Sequence, residues 1–367
     1  MKPFAKHPAL VVRAESPFNA GPPLKLLHHT FVTPEELFFV RNHGTVPDVD
    51  PGRYRLNVTG MVKRSLSLSL DELREHYPKT ALMATLQCAG NRRSEFTAIR
   101  PIPGEIPWDA GAVGTAVWSG AALRDVLSSA GVLPEARHAA FLGLDEVEKE
   151  GKTFGFGGSI PLQKAMSEEV LLAYSMNDAP LPPLHGYPLR VVVPGYIGAR
   201  SVKWLAQMTI QATPSTNHFQ SHAYKIFPPQ IRVEEADWAM GLTLGELPVN
   251  AVICQPADGE SVPAGRLTVQ GYALAGGGRR IDRVDLSTDG GETWMTADLL
   301  DESSPWTWRL WEAEPRVGPG PCHLVVRAWD SAAQTQPEDV GKIWNFKGYM
   351  NNAWHRVDVN VAPAARA

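Results

Sequence analysis

Apolar and polar positions follow two different rhythms along this chain. Up to about residue 245 the pattern is mixed. "SLDELREHY" (69–77) opens on a serine suited to capping, carries acids in its first turn and predicts a short helix. "SGAALRDVLSSAGV" (119–132) has apolar residues at helical spacing and stops at Gly131. "RYRLNVTG" (53–60) and "LRVVVPG" (189–195) read as strands, so the first part predicts a mixed α+β fold. Beyond it, apolar and polar residues alternate between turn dipeptides, the signature of a β-sandwich. "VDLSTDGGETW" (284–294) predicts a strand, an Asp-Gly-Gly turn and a second strand, and "CHLVVRAWD" (322–330) another half-buried strand. These rhythms divide the chain into residues 1–243 and 244–367, with no internal repeat.

Composition narrows the class. A chain of 367 residues is long for one core and predicts two compact units, and 31 Pro with 32 Gly imply short elements joined by turns. No run of eighteen apolar residues occurs, so no membrane helix is expected. Lys plus Arg number 35 against 39 Asp plus Glu, a formal charge of -4, which gives no general attraction to nucleic acid or anionic lipid. Any anion binding is therefore local. Three widely spaced cysteines argue against a disulfide framework and a CxxC zinc site. With "MKPFAKHPALVV" lacking a secretory pattern, a reducing cytoplasmic location is expected, or a periplasmic one for a trimmed mature form.

Candidate chemistry centres on "LQCAGNRRSEF" (86–96). Cys88 reads either as a small buried hydrophobe or as a thiolate held by Arg92 and Arg93, with Gly90 giving the loop backbone freedom. A thiolate is a nucleophile or a ligand for a soft metal. Cys254 and Cys322 sit inside alternating strands and read as core. The eleven histidines include no HExxH, which disfavours a zinc enzyme, and His28 and His29, adjacent in an expected strand, would point apart. A cysteine hydrolase pairing Cys88 with His185 lacks a family signature, and no Walker, GxGxxG or GxSxG motif is present. "PGYIGARSVKWL" (194–205) offers glycines, Arg200, Ser201 and Lys203 to a phosphate or to solvent. In "FFVRNHGTVP" (38–47), Arg41 and His43 would share one face of a strand.

In order, the segments "FFVRNH", "LQCAGNRRSE", "LRVVVPGYIGARSVKWL", "HAYKIF", "GYALAGGGRRIDRVDLSTDGGETW", "WTWRLW" and "NAWHRV" resemble the molybdenum cofactor part of eukaryotic-type sulfite oxidases, over roughly residues 30 to 360. The resemblance implies a molybdopterin-binding α+β fold followed by an immunoglobulin-like dimerisation domain. It implies oxidation of sulfite to sulfate, with Cys88 as the single protein ligand of molybdenum. Arg41, Arg93 and Trp108, the last in register after one inserted residue, would form the substrate pocket with Tyr224. Lys347 would join them, standing where vertebrate members carry arginine. Phe39, Arg41, His43, His185, Arg190, Arg200, Ser201 and Lys203 would hold the pterin and its phosphate. No haem is expected, since no His-Pro-Gly-Gly stretch is present; electrons would go to a separate acceptor, cytochrome c or oxygen, from a homodimer. A nitrate reductase of the same architecture and a non-catalytic sandwich binder are the alternatives. Tyr224 and Lys347 favour sulfite over nitrate.

Overall fold

A computed structural model describes residues 6–149, 151–302 and 304–363. The first part is built on two sheets. One runs Gly157–Pro161, His138–Gly143, Leu205–Gln211, Leu56–Gly60, Leu66–Leu68, with the Leu205–Gln211 and Leu56–Gly60 strands parallel. The other runs Ala179–Pro180, Leu171–Met176, Val113–Ala122, Lys79–Gln87, with Arg190–Val192 also on Leu171–Met176. Leu70, Leu73, Leu123, Val126 and Leu127 from two short helices pack with Phe141, Ile160, Leu172 and Met208 into one core.

The helix Leu70–His76 forms as its sequence predicts. Ser69 Oγ accepts from the Glu72 N–H at 3.1 Å and Glu72 Oε2 accepts from the Ser69 N–H at 2.7 Å, a reciprocal cap. The second helix is shorter than expected. It covers Leu123–Ala130, because residues 119–122 finish the strand Val113–Ala122, where they pair with Leu171–Met176 on one side and Lys79–Gln87 on the other. Ladder bonds on both edges outweigh helical spacing there. His28 and His29 are not in a strand either: they follow the 3-10 turn Leu24–Leu26, and their rings touch edge to face at 4.5 Å.

The C-terminal part is a sandwich. Asn250–Gln255, Val269–Leu274, Arg309–Ala313 and Asp298–Leu299 form one sheet; Ser261–Pro263, His355–Ala362, Gly320–Asp330, Ile281–Ser287 and Met295–Thr296 form the other. Strict alternation along His355–Ala362, buried at every odd residue, turns one face to the core with Val269, Trp311, Leu324 and Val326. The expected second strand of the hairpin starts only at Met295, since Asp289 accepts the backbone N–H groups of Glu292 and Thr293 and curls the intervening residues into a loop. Cys254 and Cys322 are buried strand residues, as expected. No described helix is long and apolar enough to cross a membrane.

The two parts share a third core in which Ala89, Ile197, Phe219 and Tyr224 pack with Cys254, Tyr272, Trp308 and Tyr349. Hydrogen bonds cross it: Trp308 N–H donates to Thr85 Oγ1 at 2.8 Å and Tyr272 O–H to the Ala110 carbonyl at 2.8 Å. His355 borders this seam, where its Nδ1 accepts from the Ile253 N–H at 3.3 Å. Burial, then the charge of Arg92, pushes its pKa down to about 4. An unfolded histidine protonates below about 6.5, so between that pH and 4 the unfolded chain binds the extra proton and the fold loses stability, by roughly 3 kcal/mol at the acid end. We expect the urea midpoint to fall between pH 7 and pH 4.5, roughly, and the fall to be shallower in His355→Gln. Equal slopes in the two proteins would remove His355 from this account.

Candidate active site

The strand Lys79–Gln87 leads directly into Cys88, which lines a cleft in the first part. The cleft holds about 680 Å³ of empty space out to its mouth and is lined by Phe38, Phe39, Arg41, Asn42, His43, Cys88, Asp145, His185, Arg190, Ser201, Lys203 and Tyr224, among others. The loop after Cys88 is tightly pinned. Asn91 accepts from the Ala112 N–H at 2.9 Å and donates to Tyr272 Oη at 3.1 Å, while the Met350 N–H reaches the Ala89 carbonyl at 2.8 Å. Cys88 Sγ accepts from the Gly90 N–H at 3.4 Å. Gly90 is needed for space rather than for backbone freedom: a Cβ there would lie 2.5 Å from Arg93 Nη2.

Arg41 and His43 do share a face, although their backbone is not a strand. Arg41 Nη2 lies 3.1 Å from His43 Nδ1, and His43 Nε2 lies 2.7 Å from Tyr224 Oη. Burial, reinforced by Arg41 and Lys203, holds His43 far below the usual histidine range, so the ring is neutral. A guanidinium only donates, so Nδ1 accepts and the ring proton sits on Nε2, where it is given to Tyr224 Oη. The Tyr224 hydroxyl proton is thereby left to donate elsewhere. Burial raises the pKa of Tyr224 and keeps it a phenol. Tyr224 also sits at φ 54°, a strained left-handed conformation for a bulky residue, held by stacking on Tyr349 at 5.2 Å.

The far end of the cleft gathers cations. Arg190 donates to the His185 and Ser201 carbonyls at 3.0 Å each, and Lys203 Nζ to the Leu184 carbonyl at 2.9 Å and to Asn42 Oδ1. His185 is held neutral by burial and by Lys6, Lys203 and Arg190, so its Nε2 accepts from Lys6 Nζ at 2.6 Å. Burial, then the like charges of Arg190, Arg41 and Lys6, lowers the pKa of Lys203, and burial brings that of Lys6 to about 8; an anion bound among them would relieve that crowding.

Four expected residues do not line this cleft. Arg200 lies behind Tyr224, its Cζ 6.0 Å from the ring, and donates to the Leu244 and Phe219 carbonyls. Trp108 packs against the cluster of Phe38, Phe39 and Cys88, and its buried Nε1 has no partner. Arg93 is buried beside the cysteine loop, donating to the carbonyls of Lys347, Gly348 and Ile106 and lying 5.1 Å from the Tyr349 ring. Lys347 bonds to Glu105. Arg92 differs from its neighbour: its guanidinium turns away from Cys88 to Glu95, Asn250 and the Ala353 carbonyl, so its charge serves the fold and not the thiol.

Sequence reasoning passed over Lys6, Asp145, Glu105 and Tyr349. Asn42 and Phe38 lay inside a quoted motif and were findable there. Asp145 accepts the Phe156 N–H at 3.0 Å, and burial raises its pKa; no motif marks it.

The donor set fits a molybdenum cofactor. Among the described residues no three His, Cys, Asp or Glu side chains gather to hold a metal ion, so a metal on Cys88 brings its other ligands with it. One soft sulfur and several buried cations lining the same cleft match a metal carried on a sulfur-bearing, phosphorylated pterin, and the buried Trp108 Nε1, in the same cluster as Cys88, has no protein partner.

The family model described as the oxidoreductase molybdopterin binding domain matches residues 43–219, and that of the Mo-co oxidoreductase dimerisation domain matches residues 242–362. The chain is 48% identical over 368 residues to the sulfite oxidase of Gallus gallus, covering 96% of this chain and 79% of that protein. It is 46% identical over 369 residues to the mitochondrial sulfite oxidase of Homo sapiens, covering 98% and 67%. A nitrate reductase [NAD(P)H] of Hordeum vulgare is 40% identical over 381 residues, covering 97% and 42%. Among solved structures, the sulfane dehydrogenase SoxCD from Paracoccus pantotrophus superposes with a TM-score of 0.79 at 25% identity, over 99% of this chain and 90% of that one. With Cys88 at the head of a cationic cleft and near-complete alignment to these enzymes, the chain belongs to the sulfite oxidase family of molybdenum cofactor oxidoreductases.

Proposed function

We propose that this protein oxidises sulfite to sulfate and passes the electrons to a separate acceptor, a cytochrome c or oxygen. Sulfite and water give sulfate, two electrons and two protons. The observation that carries the reading is a single cysteine sulfur opening onto a cleft of buried cations. The cofactor, when bound, supplies the oxygen-atom transfer chemistry. Cys88 holds the metal. His43, His185, Arg190, Ser201 and Lys203, with Phe39 alongside, hold the pterin and phosphate, while Arg200 braces Tyr224 from behind. Arg41 in the cleft neutralises a dianion together with Arg93 and Lys347, which border the cysteine loop outside the cleft lining; Trp108 backs the apolar cluster around Cys88, and Tyr224 keeps its O–H free to donate to substrate. Lysine at 347 keeps the charge and forgoes the bidentate fork of arginine.

The division at 243/244 belongs to the same reading, with a homodimer formed through residues 244–367. It assigns no haem to these 367 residues and a cytoplasmic setting, which three free cysteines favour. Molybdenum-loaded protein assayed with sulfite and nitrate, using oxygen and cytochrome c side by side, tests it. Sulfite oxidation is expected, and Tyr224→Phe should lower kcat roughly ten- to a hundredfold at equal molybdenum content, because one donor aimed at developing charge is lost. Nitrate reduction without sulfite oxidation would overturn the assignment in favour of the reductase.

A further inference from the structure

Beside the cysteine loop, the two cations assigned to substrate, Arg93 and Lys347, already face a carboxylate. Glu105 bonds through Oε1 to Lys347 Nζ, and its Oε2 lies 3.6 Å from Arg93 Nη2. The carboxylate therefore bridges two cations brought from opposite parts of the chain, as the oxygens of a small oxyanion would. Its surroundings are half closed: the side chains of Glu105 and Lys347 are 16% and 20% exposed, and that of Arg93 is 3%. The Tyr349 ring lies 5.1 Å from the Arg93 guanidinium and 6.0 Å from Lys347 Nζ, shielding one side of each. The residue before it, Gly104, has φ +78°, and an added Cβ there would meet no atom within 4 Å, so the backbone leading to Glu105 is not packed in on that side.

We propose that Glu105 is an internal occupant of the substrate anion site: its carboxylate holds Lys347 and Arg93 in the empty enzyme, and an incoming oxyanion displaces it. This inference rests on the assignment of Arg93 and Lys347 to substrate. A carboxylate carries one negative charge and sulfite or sulfate carries two, so exchange favours the dianion and disfavours monoanions such as nitrate, which replace the carboxylate without electrostatic gain. Glu105 is thus a specificity-determining residue that trades affinity for discrimination. Its charge is also felt at Tyr224 and Tyr349, where it adds to burial in keeping both phenols protonated.

The test compares wild type with Glu105→Gln and Glu105→Asp as full-length, molybdenum-loaded protein, measuring inhibition by sulfate, the KM for sulfite, and the rise in Tm produced by sulfate. With the charge removed, Glu105→Gln should bind sulfate and sulfite about tenfold more tightly at low salt, with the gain shrinking at roughly 0.5 M salt, and should show the larger sulfate-induced Tm rise. Glu105→Asp keeps the charge on a stem one methylene shorter, so it should fall between them, and it carries the test if the glutamine variant fails to fold. Sulfate binding unchanged or weaker in the folded variants overturns the proposal. Arg41→Gln and Arg93→Gln, measured in parallel, separate the two failures: if they weaken sulfate binding while Glu105→Gln does not strengthen it, only the carboxylate role falls. If they leave it unchanged, the substrate assignment itself falls.

Discussion

Replacing Cys88 with serine is expected to abolish sulfite turnover in a chain that still folds. The thiol is buried at the end of a strand, in a loop fixed by Asn91 and by the Met350 N–H, and none of those bonds depends on the sulfur. Serine is nearly isosteric, so the cost to stability should be about 1 kcal/mol, roughly one degree in Tm. What changes is the ligand: an alkoxide is harder than a thiolate and has a far higher pKa, so it is mismatched to a sulfur-ligated metal. The measurement is turnover per molybdenum, alongside a melting curve. Sulfite oxidation retained in a metal-loaded Cys88→Ser protein would show that this sulfur is not the ligand.

A larger loss of stability is expected four residues on. The Arg92 guanidinium is fully buried and satisfied by both Glu95 oxygens at 2.7 Å, by Asn250 Oδ1 at 2.7 Å and by the Ala353 carbonyl at 2.7 Å. Burial acts to raise the pKa of Glu95, and the charge and hydrogen bond of Arg92 outweigh it. Arg92→Ala would take the cation from that carboxylate, which keeps only Asn351 Nδ2, leave the Ala353 carbonyl to Gln336 alone and strip Asn250 Oδ1 of its partner in the seam between the two parts, at a cost of about 3 kcal/mol. The corresponding drop in Tm is about 4 °C. Arg92→Lys should recover only part of it, since an ammonium cannot address four acceptors in a plane. A melt of Arg92→Ala indistinguishable from wild type would refute this role. Arg93→Gln, by contrast, should act on sulfite affinity, and the two neighbouring arginines are told apart by which property moves.

Local rules in the sequence were sufficient where local bonds decide the outcome. The Ser69 cap, the alternation of His355–Ala362 and the pairing of Arg41 with His43 each depend on residues a few positions apart. They failed where partners are distant. Lys6 and His185 are 179 residues apart, and Glu105 and Lys347 are 242 apart, so nothing near either member announces the contact. Residues 119–122 carry helical spacing, yet their hydrogen bonds are claimed by strands on both sides, which no window along the chain can reveal. The two arginines of the cysteine loop look equivalent in sequence; a left-handed φ of 66° at Arg92 sends one toward the sandwich and leaves the other beside Cys88.

Tyr349, Met350 and two of the three carbonyls that hold Arg93 come from residues 347–350, yet they form a wall over the loop of Cys88. During synthesis the first part leaves the ribosome with its cysteine but without that wall. A closed chamber therefore needs residues 347–350 in place, and a fragment stopped before residue 347 would present an open, unguarded thiol.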